Sequence, residues 1–226
     1  MTIALSKFVV TTPMTAKVVK GKNIALTVKG DEACSRCAEF ISVNADEELD
    51  LFAPTHGAAT ESVHRTRTEL MEEDYWALDS AAHHWLRMAM TVKCVNQGGR
   101  VVIAQCHVKN SNNPMIKIFW DKGAIKIGFR RKESDEPVTT TVRKGVKEGD
   151  RLALALHLTK AGSVSLNVSS NGQKDNFTEK LDPSWQDFTL NFHAGLYNQL
   201  DYSDKIPTTD CSRATIHTLG VDHDAA

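Results

Sequence analysis

The sequence predicts an all-β fold, an antiparallel sandwich of two sheets with jelly-roll connectivity. Three observations carry that expectation. Beyond residue 80 the apolar residues alternate with polar ones or form short continuous runs. These runs recur at short intervals with hairpin-type turns between them, and stretches of helical period are scarce. At 226 residues the chain suits one large β domain. No linker, repeat or low-complexity segment divides it, so 1–226 is expected to be a single domain.

Taken in chain order, the first element is a short helix over 32–40. A strand containing residues 64–71 follows, and then a second short helix over 70–78. Strands are predicted at 84–95, 100–108, 115–120, 124–130 and 138–142, and again at 151–158, 163–169, 189–197 and 214–221. Between them stand explicit turn residues: Asn96-Gln97-Gly98-Gly99, Asp121-Lys122-Gly123, Glu148-Gly149-Asp150 and Asn171-Gly172.

Hydrophobic residues make up 41% and charged residues 24%, a globular mixture that excludes disorder. The formal net charge is −1, so an anionic ligand has to be attracted by a local cluster of Arg, Lys and His. No apolar run is long enough to span a membrane, and residues 1–10 lack the pattern of a signal peptide. Neither a nucleic-acid nor a membrane partner is expected, and the protein is expected to act as a monomer. Five cysteines leave at least one thiol unpaired within the chain. Cys34 and Cys37 form a lone C-x-x-C with no second half, which reads as structural; no metal and no cofactor are expected.

Three segments carry candidate chemistry. In 64–71 a strand puts Arg65, Arg67, Glu69 and Met71 on one face, an arrangement suited to a wet groove or a solvated edge. In 101–108, Gln105 and His107 share a face with Val101 and Ile103, opposite Val102, Ala104, Cys106 and Val108. In 191–199, His193, Gly195 and Tyr197 share a face, and Gly195 suggests either a bulge or a floor over which an extended ligand lies.

Together these segments resemble the signature blocks of alginate lyase family seven, which read R-[TS]-E-L-R, Q-[IV]-H and Y-F-K-A-G-x-Y-N-Q. The chain has Arg67-Thr68-Glu69-Leu70-Met71, Gln105-Cys106-His107 and Asn191-Phe192-His193-Ala194-Gly195-Leu196-Tyr197-Asn198-Gln199, in the same order. Weaker similarity extends to 5–13, 114–123 and 214–223, nearly the whole chain. It departs from the pattern at Met71 (arginine in the family), His193 (lysine) and Cys106. The resemblance implies a concanavalin-like jelly roll that cleaves the 1,4-linkages of an anionic polyuronate by β-elimination, leaving a 4,5-unsaturated end. It implies secretion or a periplasmic location, as the substrate demands. It casts Arg67, Gln105, His107 and Tyr197 as catalytic, and Arg65, Glu69, Lys117, His193, Asn198 and Gln199 as substrate-binding, with Glu69 orienting an arginine.

Elimination needs donors to neutralise the uronate carboxylate, a base for the C5 proton and an acid for the leaving O4. Tyr197 is the expected acid. It also serves as base where both groups lie on one side, and for that its pKa has to be lowered by Arg67 and His107. Where they lie on opposite sides, His107 is the base. Arg65 is expected to make up for the cation lost at Met71. The rival readings are a glucuronan lyase, a carbohydrate-binding module stacking sugars on Trp76, Trp85, Trp120 and Trp185, and a hydrolase. The hydrolase would need a carboxylate pair that the motifs lack.

Overall fold

The computed structural model describes residues 3–224. The signal-peptide reading of 1–10 and the outer limits of the 1–226 domain therefore fall partly outside the described residues. Two antiparallel sheets face each other. The first runs, in order, β11 (Val138–Lys144), β10 (Ala124–Phe129), β9 (Ile116–Asp121), β8 (Arg100–Val108), β15 (Thr189–Asn198), β5 (Arg67–Glu72), β1 (Phe8–Val19) and β2 (Lys22–Lys29). The short β6 (Trp76–Ala77) joins it beside β15. The second runs β14 (Gln173–Lys180), β13 (Ser163–Ser170), β12 (Arg151–Thr159), β7 (His83–Cys94), β16 (Cys211–Asp224), β4 (Leu49–Pro54) and β3 (Ile41–Val43).

Alternation explains which face each strand buries. On β12, Leu152, Leu154, Leu156 and Leu158 point inward while Arg151, Ala153, Ala155 and His157 point out. Leu86, Met88 and Met90 of β7 join them, and Ile118, Ile127, Leu190, Phe192 and Leu196 come from the facing sheet into one continuous core. Burying a side chain of this size contributes about 1.5–3 kcal/mol. Hairpins close where the turn residues indicate: Lys122-Gly123 and Asn171-Gly172 both take positive φ at each position, as a two-residue type I′ turn requires.

Several expectations change. The helix of 32–40 is α1 (Gly30–Arg36), which begins two residues earlier and ends four residues earlier. No helix forms over 70–78, where β5 runs to Glu72 and β6 follows; Leu70 is drawn into the core by pairing with Val10 and Ala194 on either side. Strand β8 does not keep one alternation. A bulge between Val102 and Ala104 puts Val101, Ile103, Ala104, Cys106 and Val108 into the inter-sheet core. Val102, rather than Ile103, then shares the outer face with Gln105 and His107. The four tryptophans form no stacking platform: Trp76, Trp120 and Trp185 are buried, and Trp85 lies against His157 on the other sheet. All five cysteines are free thiols, and Cys37 packs at the end of α1 against Thr12.

Candidate active site

The outer face of the nine-stranded sheet carries a cleft of about 590 Å³, lined by β5, β8, β15, β9 and the loop before β5. Strand pairing builds its floor in rows. Tyr197 lies opposite Arg67. His193 lies between Met71 and Gln105, and Gln105 faces Lys117. Asn191 lies opposite His107. The period-2 geometry of β15 thus presents Asn191, His193, Gly195 and Tyr197 to the cleft, while Leu190, Phe192, Ala194 and Leu196 fill the core.

Glu69 sits at the centre, 1% exposed. Its Oε2 accepts from Arg67 Nη1 at 3.0 Å and lies 3.5 Å from His193 Nδ1, while Oε1 accepts from Gln105 Nε2 at 2.5 Å. Burial works to raise the carboxyl pKa, but Arg67, His193 and Gln105 overcome it and hold Glu69 down at about 2. Glu69 stays ionised and fixes the guanidinium, which lies 3.8 Å over the Tyr197 ring. Tyr197 packs with Val102 and Phe119 in a small apolar cluster of its own.

His107 contributes a neutral ring. Burial, reinforced by the neighbouring His193, lowers its pKa to about 4. Its Nδ1 lies 3.0 Å from the Val108 carbonyl, which can only accept, so the proton is on Nδ1 and the lone pair is on Nε2. The ring stacks on His193 at 5.0 Å between centroids. Tyr197 behaves contrary to the expectation of a lowered pKa. Burial raises it and Glu69 adds to the effect, with Arg67 opposing, so the phenol keeps its proton. The Lys117 pKa is lowered, by burial first and then by Arg67, Arg65 and Arg130 against the pull of Glu69.

Not every candidate reaches the cleft. Asn198 faces the other way, fully buried, and bonds Ala53 O, Thr66 Oγ1, Asn96 and Ser212. It ties the end of β15 to the loops beneath it, so the expectation that it binds substrate gives way to a structural role. Gln199 also stays outside the cleft, donating to the Tyr197 and Asn198 carbonyls and bracing Arg65. Arg65 lines the cleft, but Asp201 takes its charge at 2.8 Å, so it does not replace the cation absent at Met71. Asn191 fixes His193 through a 3.1 Å contact and is a cleft residue that the motifs alone do not single out. Continuing the alternation of β15 back from His193 would have identified it.

A larger depression of about 670 Å³ lies on the outer face of the second sheet, over Ala89, Ala153 and Ala155. Its Arg87 and Asp175 are paired with Asp222 and Arg143, and no histidine, tyrosine or cysteine lines it. His107, His193 and Tyr197 line the first cleft instead. The carboxylates there do not form a hydrolase pair: Glu72 is spent on Trp76, the Phe192 N–H and His223.

Comparisons with known proteins agree with this geometry. The sequence profile described as alginate lyase matches residues 3–223. Among solved structures, alginate lyase PA1167 from Pseudomonas aeruginosa superposes with a TM-score of 0.83 at 24% identity, over 97% of this chain and 99% of that one. The alginate lyase from Klebsiella pneumoniae gives 0.83 at 19%, over 99% and 98%. The family 7 alginate lyase A1-II′, solved at 1.0 Å, gives 0.80 at 19%, over 100% and 98%. No curated protein matches. The two-sheet fold is thus the fold of these enzymes, and the profile match along almost the whole sequence shows that the chain belongs to alginate lyase family seven.

Proposed function

We propose that His107 and Tyr197 carry out the β-elimination by which this polysaccharide lyase cleaves alginate. The observation that carries the reading is their opposite protonation: a neutral imidazole with its Nε2 lone pair free, and a phenol that keeps its proton, around one buried Arg67–Glu69–Gln105 centre. Arg67, Lys117 and the remaining N–H of Gln105 offset the uronate carboxylate and the charge that develops when C5 loses its proton. One such donor contributes about 3 kcal/mol to the transition state. His107 Nε2 takes the C5 proton, Tyr197 protonates O4 as the C4–O4 bond breaks, and the C4=C5 double bond remains. A base on one residue and an acid on another suit opposite-side elimination, the guluronate geometry. The raised Tyr197 pKa weighs against the same-side route, in which the phenol would also have to act as base.

The groove is complete within one chain, which supports action as a monomer. A polymeric substrate supports action outside the cytoplasm, in line with the family. Among the described residues no helix is long and apolar enough to cross a membrane.

The direct test is absorbance at about 235 nm, where unsaturated uronate appears, with polyguluronate, polymannuronate and glucuronan side by side. Polyguluronate is expected to react fastest, and absence of unsaturated product from all three would remove the proposal. The acid limb of kcat/KM gives a second test. His107 loses its basic lone pair only as pH falls through about 4. Activity is therefore expected to persist at about pH 5, where an ordinary imidazole, with its pKa near 6.5, would already be protonated. An acid limb centred near 6.5 would show that another group supplies the base.

A further inference from the structure

The floor of the cleft contains one row whose charge depends on a single side chain. Val9, Met71, His193, Gln105 and Lys117 are consecutive cross-strand partners on β1, β5, β15, β8 and β9. Met71 brings a thioether and Val9 a methyl surface, so within the row only His193 and Lys117 can be cationic. Arg65, the nearest other candidate, is matched by Asp201.

Two acceptors face the His193 ring. Asn191 Nδ2 donates to the Glu72 carbonyl at 2.8 Å, which turns Asn191 Oδ1 toward His193 Nε2 at 3.1 Å. That oxygen only accepts, so Nε2 carries a proton. On the other side, Nδ1 is buried without a hydrogen-bond partner, 3.5 Å from the ionised Glu69 Oε2. A neutral ring would aim a lone pair at a carboxylate, whereas an imidazolium aims an N–H at it. The surroundings are therefore built for the doubly protonated form.

We propose that His193 is a titratable positioning residue whose positive charge offsets Glu69, leaving Arg67 and Lys117 uncompensated for the carboxylates of the polymer and making substrate affinity fall as the ring loses its proton. With His193 charged, Glu69 is matched and two cations remain for the substrate. With His193 neutral, Glu69 cancels Arg67 and only Lys117 is left. His107, whose own pKa is lowered by burial, stacks on the ring, and Tyr197, whose pKa is raised by burial, lines the same cleft. The Lys117 pKa is itself lowered, so the variants below are needed to separate it from His193. The proposal rests on the polyuronate reading above.

The test measures equilibrium binding of an alginate-derived hexauronate to protein carrying Tyr197→Phe, so that no turnover is needed. From the acid side, where the ring is charged, to the alkaline side, where it is neutral, affinity is expected to fall about tenfold. Adding His193→Lys should keep binding tight throughout, and adding His193→Gln should leave it weak throughout. In the active enzyme the same substitutions should change KM by a larger factor than they lower kcat, which responds because His193 also touches the His107 ring. Binding indifferent to pH, or a lysine variant that keeps the decline, would overturn the proposal. Absence of binding at every pH would overturn it together with the polyuronate reading. The expected pattern without unsaturated product from the native enzyme would leave it standing and remove the elimination chemistry alone.

Discussion

Tyr197→Phe is expected to lower kcat on alginate by about 10³-fold or more, at the upper end of what a general acid contributes, while the protein stays folded. The separation follows from how the side chain is held. Its ring lies under the Arg67 guanidinium at 3.8 Å and packs with Val102 and Phe119, and phenylalanine keeps both contacts. Only the hydroxyl is lost, and with it the proton that O4 needs as it leaves. The Arg67–Glu69–Gln105 cluster does not involve that hydroxyl, so binding of an oligouronate should be little changed. Initial rates at about 235 nm and a thermal melt together check the result. Retained turnover on every uronate polymer would remove Tyr197 from the chemistry, and a collapsed melt would mean that the hydroxyl is structural.

Much of this arrangement is readable from the sequence because strands repeat every two residues. His193 and Tyr197 fall on one face of β15 by parity alone, and Arg67 and Glu69 do the same on β5. Parity fails where the backbone departs from it. Nothing in Val101-Val102-Ile103-Ala104 announces the bulge that exchanges Val102 for Ile103 on the cleft side. Long-range charge pairing is equally silent: Asp201, which neutralises Arg65, comes from a loop 136 residues away. Asn198 sits in the same motif as Tyr197 and belongs to the interior, because adjacent strand residues face opposite ways. The edge strand β14 shows almost no apolar face, since pairing with β13 alone makes it a strand. The second helix expected over 70–78 fails for a related reason. Its apolar spacing is satisfied by separate contacts, with Leu70 against Val10 and Ala194, and Trp76 beside Leu190.

Gly195→Ala is expected to damage both stability and activity, even though it adds only one methyl. The sequence offers two reasons for this glycine, a bulge or a floor for a ligand, and the β15–β8 register does shift between Ala194 and Tyr197. Gly195 has φ +139°, which side chains rarely adopt, and a Cβ there would stand 2.5 Å from the Thr68 carbonyl oxygen and 3.0 Å from Glu69 Cα. The obstacle is the backbone of β5, which cannot rotate aside as a flexible side chain would. Strain at such a φ costs about 1–3 kcal/mol and forced overpacking a similar amount, so a loss of about 3 kcal/mol or more is expected. For a chain of this size that corresponds to a fall in Tm of about 6–12 °C. Activity should fall further than the melt implies, because relief of the clash separates β5 from β15. That movement pulls Arg67 away from Tyr197 and Glu69 away from His193, the pairs on which the proton chemistry and the charge balance rest. Thermal melts and rates measured well below the new Tm distinguish the two effects. Unchanged stability would mean that β5 yields at this point without cost, and unchanged activity would mean that the spacing of the two strands does not set the geometry of the site.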